Sequence, residues 1–278
     1  MKKLIKIVVI ISFLFPFYKL SAQETFNLKY KFEKGKTYLY RTISISEMSM
    51  DINGQEMSSK GESRTKTRME IADISNEKIE IITSLDSMYS KYSNSMGGED
   101  NIRNGEEYVG KKSKLIYSTL GKKLGIIEID KSTNEMGMPV APRGALFIQL
   151  SEKPVKIGDE WNVANTDTNK FGEAGMSINK NEIIYKVEGK ETKNGIEYLR
   201  ISMKSNSKSE GSMSQGGMNA VSEGKAKTTG TILFDLSKGV IYSFDTESEG
   251  SNSTTYVEQN RTMPMTSKSK STTILIEK

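Results

Sequence analysis

The chain has 278 residues, with 40 Lys and Arg against 35 Asp and Glu, and contains neither histidine nor cysteine. That composition excludes a Ser-His-Asp relay, a Cys-His pair, imidazole or thiolate metal centres and any disulfide. The net charge of +5 overstates the basic character: Lys2, Lys3, Lys6 and Lys19 sit in an N-terminal leader without acids. The remainder is close to neutral and lacks the basic footprint for nucleic acid or an anionic membrane.

Residues 1–22 have a basic start, an apolar run from Ile7 to Phe17 and a short tail ending in Ala22, the layout of a signal peptide cut between Ala22 and Gln23. The run is about 11 residues, short of the ~20 that a membrane-spanning helix needs. No transmembrane segment is therefore expected after cleavage, and the product is expected in the periplasm or cell envelope, or secreted.

Phe26, Leu28, Tyr30 and Phe32 alternate with polar residues, which predicts a half-buried strand turned at Gly35. An extended run at 38–51 meets Asn53-Gly54, a strong hairpin signal. On the return strand Lys60, Glu62, Arg64, Lys66, Arg68 and Glu70 share one face, and Ser63, Thr65, Thr67, Met69 and Ile71 share the other. Further strands are predicted at 79–85, 115–120 and 126–129, and the polar stretch 94–105 reads as a mobile loop. Residues 142–150 read as a short helix or a buried strand. The second half restarts at Pro154 and gives strands near 182–187, 196–203, 229–234, 240–246 and 272–276. Asn194-Gly195 and Lys238-Gly239 make hairpin turns, while the low-complexity stretches 205–224 and 247–255 read as flexible tips.

These elements predict a mainly β fold: antiparallel sheets of long strands, as an incomplete β-barrel or as two related β-units, with at most one or two short helices. The division is a leader at 1–22, a first β-unit at 23–142 and a second at 143–278, unless the two form one continuous domain. Both units open on Gly, two polar residues and an aromatic, Gly35 to Tyr38 and Gly158 to Trp161, a sign of internal duplication.

No phosphate-binding glycine loop is present. The adjacent acids Glu106-Glu107 and Asp159-Glu160 would point to opposite faces of a strand; they are assigned to solvated turns rather than to a carboxylate hydrolase. Asp130, Ser132 and Asn134 begin a calcium-loop pattern, but Glu135 replaces its glycine and Ala141 its closing Glu. No catalytic residue and no organic cofactor are expected, so the chain reads as a non-enzyme. The candidate metal ligands are three Met-x-Met pairs: Met48 and Met50, Met136 and Met138, Met263 and Met265. Thioethers are soft ligands that favour Cu(I), and alternate positions on a strand share a face. The competing reading is packing, since Met fills irregular apolar gaps. Asp86-Ser87-Met88 is similar to the three-residue O-glycosylation site of Bacteroidota.

The leader end Leu20-Ser21-Ala22-Gln23, the segment Lys34 to Tyr40, Ile52 to Met57 and Pro154 to Trp161 resemble a family of exported β-proteins of Bacteroidota type. That family has no assigned activity, so the resemblance implies a compartment and a fold and transfers no catalytic residue. The succession of long strands is also similar to the periplasmic lipoprotein-carrier half-barrels, which hold acyl chains in an apolar concavity; those carriers cover the cavity with helices that this sequence lacks. The expected role is thus a binding or structural protein of the cell envelope, with an apolar ligand or another envelope protein as partner.

Overall fold

The computed structural model describes residues 24–52, 54–95, 100–130, 147–170, 175–215 and 218–277. Among them are fourteen strands and no helix: β1 (Thr25–Phe26), β2 (Thr37–Ile52), β3 (Gln55–Ser75), β4 (Lys78–Asn94), β5 (Asn101–Arg103), β6 (Lys112–Ser118), β7 (Lys123–Glu128), β8 (Val155–Lys156), β9 (Glu160–Lys170), β10 (Gly175–Lys193), β11 (Ile196–Gln215), β12 (Met218–Asp235), β13 (Val240–Tyr256) and β14 (Arg261–Glu277). The leader lies outside the described residues.

Twelve strands form one sheet in the order β7-β6-β4-β3-β2-β14-β13-β12-β11-β10-β9, with β5 beside β4; β1 and β8 make a separate pair. Strands from both stretches, 23–142 and 143–278, therefore share a sheet, joined where β14 pairs β2. Every step is antiparallel. Eleven strands on that path leave the edge strands β7 and β9 pointing the same way. The sheet curls until these edges face each other, with Lys123 Nζ 3.6 Å from Asp167 Oδ1, yet no ladder joins them. An odd number of alternating strands cannot close with an antiparallel ladder, and the barrel is incomplete.

One face of each long strand is charged, with cross-strand pairs such as Lys60 to Glu47 (3.0 Å), Lys270 to Glu247 (2.8 Å) and Lys268 to Glu249 (3.2 Å). That face suits water: in hydrocarbon each Lys or Arg would cost about 2–4 kcal/mol at mid-depth. The other face changes character along its length. At one end Tyr40, Met69, Ile71, Ile81, Val187, Ile201, Ile232 and Phe234 build the core. Farther along it carries small hydroxyl residues that bond across strands, as in Thr42 with Thr273 (2.9 Å), Ser44 to Ser271 (2.9 Å) and Thr228 to Ser248 (3.0 Å).

Two extended segments plug the core end. Phe26, Leu28, Tyr30 and Phe32 are all buried, but only Thr25–Phe26 enters a ladder. The alternation came from a segment threaded through the mouth of the sheet, not from a strand of that sheet. Tyr30 N donates to Thr119 O (3.3 Å) and Lys31 N to Gly239 O (3.1 Å). Residues 147–150 cross beside it with no helix or ladder, burying Ile148 and Leu150. The Tyr30 hydroxyl donates to Ile148 O (3.1 Å) and accepts from Ile148 N (3.0 Å).

Three stretches read as loops or tips are strands. Residues 205–215 of β11 pair with 218–228 of β12 in unbroken register, 247–255 lie within β13, and 101–103 form β5 against β4. Their Ser, Gly and Lys content hides the strand because neither face is buried against a core there; the ladder with neighbouring strands holds them.

The two halves repeat in their hydrogen bonds. Gly35 (φ 80°) donates to Ile71 O (2.8 Å) and Ile71 N to Lys36 O (2.9 Å); Gly158 (φ 94°) donates to Val187 O (2.7 Å) and Val187 N to Asp159 O (3.0 Å). A bulge follows Ile71 between β3 and β4 and follows Val187 between β10 and β11. Ile81 then pairs Leu115, and Ile201 pairs Ile232, each just before a bulge at Ile116/Tyr117 or Leu233/Phe234. Strands β2-β3-β4-β6-β7 thus correspond to β9-β10-β11-β12-β13. After the second set β14 bridges β13 to β2; among the described residues no strand takes the matching place between β7 and β9.

Candidate functional site

The seam between β7 and β9, where the described residues supply no strand, holds a cleft of about 550 Å³ between the β6–β7 hairpin and β9–β10. Tyr117, Phe147, Val163, Ile183 and Tyr185 line its inner part, and Lys122, Lys123, Asn165 and Asp167 its outer part. Register explains the aromatics: Trp161 and Tyr185 are direct cross-strand partners and stack at 5.1 Å between centroids. Phe147, at the start of the crossing segment, stacks on Tyr117 at 4.4 Å. Trp161 Nε1 donates to Gln149 O at 2.9 Å, tying β9 to that segment.

Burial pushes the phenols of Tyr117 and Tyr185 far above their ordinary pKa, and the Asp167 carboxylate raises Tyr117 further. Both stay neutral at physiological pH, so the inner cleft is aromatic, aliphatic and uncharged. Among the described lining residues Asp167 is the single acid, which leaves no paired carboxylates for hydrolysis. The volume falls in the range of small-molecule sites, and an apolar interior with a few polar groups at its edge is their usual construction. The edge strand β7 adds Leu124 (47% exposed) to the lining.

A larger concavity of about 640 Å³ crosses the charged face over β12, β13, β14 and β2, lined by Ile43, Ile45, Thr229, Asp245, Glu247 and Lys270. It is a shallow groove between long side chains, and an occupant would keep most of its surface in water. The seam has two walls.

Of the expected metal ligands, Met48 and Met50 lie on β2, and Met263 and Met265 on β14. Met265 is the direct cross-strand partner of Met50, which also pairs Met57 on β3. Met136 and Met138 lie outside the described residues. Met57 is legible in the sequence after the fact, because a hairpin that pairs Ile52 with Gln55 places 57 opposite 50. The cleft residues carry no such signal; Tyr117 and Val163 meet only through the curl of the sheet. Ser87 is exposed in β4, beside an Asp86 carboxylate held by Arg68 (Nε to Oδ1 2.9 Å). No group of three or more Asp or Glu able to hold a metal ion occurs among the described residues.

No family model matches the chain, and no curated protein matches it. Solved structures with some likeness are an outer membrane channel, COG4313, of Pseudomonas putida F1 (7% identity, 88% of this chain and 97% of the other, TM-score 0.27) and OpdQ of Pseudomonas aeruginosa (7% identity, 87% and 100%, TM-score 0.27). OccK8 (OprE) of Pseudomonas aeruginosa is a third (6% identity, 88% and 100%, TM-score 0.23). Likeness of that extent carries no argument about what this chain does. Among the described residues no helix is long and apolar enough to cross a membrane.

Proposed function

We propose that this chain is an exported, non-enzymatic binding protein of the cell envelope that takes an elongated apolar or aromatic ligand at the seam between β7 and β9. The observation that carries the reading is the cleft itself: about 550 Å³, walled by two strand edges and floored by uncharged aromatic rings, at the one place where the repeated β-unit leaves a strand position empty among the described residues. The leader layout supports export. The absence of His and Cys, together with a lone acid in the cleft, supports binding over catalysis. The ligand's apolar body would lie on Tyr117, Phe147 and Ile183, with a polar end near Lys122 and Lys123.

Trp161 is the chain's single tryptophan and stacks on a cleft residue, so its emission reports on occupancy. Palmitate and anilinonaphthalene sulfonate are suitable probes, titrated into protein stripped of co-purifying lipid. Saturable change in Trp161 emission, lost in Ile183→Glu but kept in the surface variant Lys204→Glu, is expected. Absence of any saturable change, joined to a clean mass for gently purified protein, would refute the reading.

A further inference from the structure

We propose that Met50, Met57 and Met265, with Met48 and Met263 beside them, form a binding site for a soft monovalent metal ion, Cu(I) in the envelope. The register sets Met57, Met50 and Met265 side by side on three adjacent strands. Met48 and Met263 are each two residues from a member of that row and share its face. Five thioethers from β2, β3 and β14 thus occupy one patch on the core side of the sheet, near the β2–β3 turn.

Packing does not account for them. The core face of β2 leaves the apolar cluster after Tyr40 and continues through Thr42, Ser44 and Ser46. At about 3.3 Å per residue, Met48 stands roughly 26 Å beyond Tyr40 along the strand. Serines 267, 269 and 271 of β14 fill the matching positions. A small hydroxyl residue suffices all along that face until five methionines appear together. They cover no core: Met48 is 37% exposed and the other four are half-buried.

Direct cross-strand neighbours have Cβ atoms about 4.5–5.5 Å apart, and a Met side chain has three rotatable bonds. Met57 and Met265 can therefore bend from either side toward the sulfur of Met50 and give three-sulfur ligation, with Met48 or Met263 as a fourth ligand. Neutral thioethers select Cu(I) and its redox-inert analogue Ag(I) over Zn(II) or Mg(II), which prefer imidazole, thiolate or carboxylate. Among the described residues the same patch offers none of those groups, because Asp51 and Glu56 alternate onto the charged face.

The test is anaerobic titration of the whole purified protein with Ag(I) and with Cu(I) held by a chromophoric chelator, with native mass spectrometry for stoichiometry and X-ray absorption for ligand type. One ion per chain, bound through sulfur alone, is expected. Loss of an outer partner of a metal ligand already weakens binding ~10–100-fold, so Met50→Leu should weaken it at least as much. Met50→Leu/Met57→Leu/Met265→Leu should abolish it with an unchanged circular dichroism spectrum, and the core change Met203→Leu should leave it intact. Failure of the unaltered protein to retain either ion overturns the proposal. So does full retention by the triple variant, or a loss that follows Met136→Leu/Met138→Leu instead.

Discussion

Replacing Tyr30 by Phe keeps the ring and removes one oxygen, yet it should be among the most costly conservative changes in the chain. That hydroxyl both donates to Ile148 O (3.1 Å) and accepts from Ile148 N (3.0 Å), so the variant loses two hydrogen bonds and strands a backbone donor and acceptor inside the plug. An orphaned buried group costs about 1–3 kcal/mol; for the two groups together the loss should be about 2–6 kcal/mol. Tyr40→Phe is the internal control: its buried hydroxyl makes one bond, to Ile241 O at 3.0 Å, and its removal should cost about half as much, about 1–3 kcal/mol. Urea unfolding followed by Trp161 emission gives both values, and an unchanged m-value would show that the unfolded states are comparable. If Tyr30→Phe costs no more than Tyr40→Phe, the phenol does not anchor residues 147–150 and the account of the plug is wrong.

Burial raises the pKa of Tyr30, Tyr40, Tyr117 and Tyr185, so the folded state holds protons that the unfolded chain releases near pH 10. Stability should be complete below about pH 10 and fall above it, by up to ~1.4 kcal/mol per pH unit for each such tyrosine. Tyrosinate absorbance should rise for these residues only as the protein unfolds; smooth titration in a still-folded chain would contradict their burial. At Gly121 (φ 82°) an added Cβ would run into Ile148 O and lie 2.7 Å from Tyr30 Cε2. Gly121→Ala should therefore cost more than about 2 kcal/mol, against about 1 kcal/mol for Gly110→Ala, where strain alone acts; equal thermal shifts would count against that packing. Lys123→Ala removes an ion pair whose side chains are 46% and 49% exposed. It should change stability by less than about 1 kcal/mol, and a larger loss in urea titration would mean that the pair, not the plug, holds the seam.

Period-two alternation and turn residues made most strands legible in the sequence, because burial of one face writes itself into residue type. Residues 60–71, with charges on one side and Thr, Met and Ile on the other, are the plainest case. The same rule misread Phe26 to Phe32, where alternation records an extended segment with one side on the core and the other in solvent, of which only Phe26 enters a ladder. It also missed 205–215 and 218–224, where no face packs on the apolar core and the strands exist through their neighbours. The paired methionines were visible as three separate motifs; register alone brought Met50, Met57 and Met265 together.

By itself the sequence determined the mainly β character, the hairpin positions and the exclusion of His- and Cys-based chemistry, all of which depend on residue types and their local spacing. Only the tertiary structure decided that β14 joins β2 and makes one sheet of both halves, and that eleven alternating strands leave two like-directed edges facing a cleft. Those outcomes depend on contacts between residues far apart in the chain, as between Lys123 and Asp167 or Tyr30 and Ile148, and no local pattern encodes which distant strand becomes a neighbour.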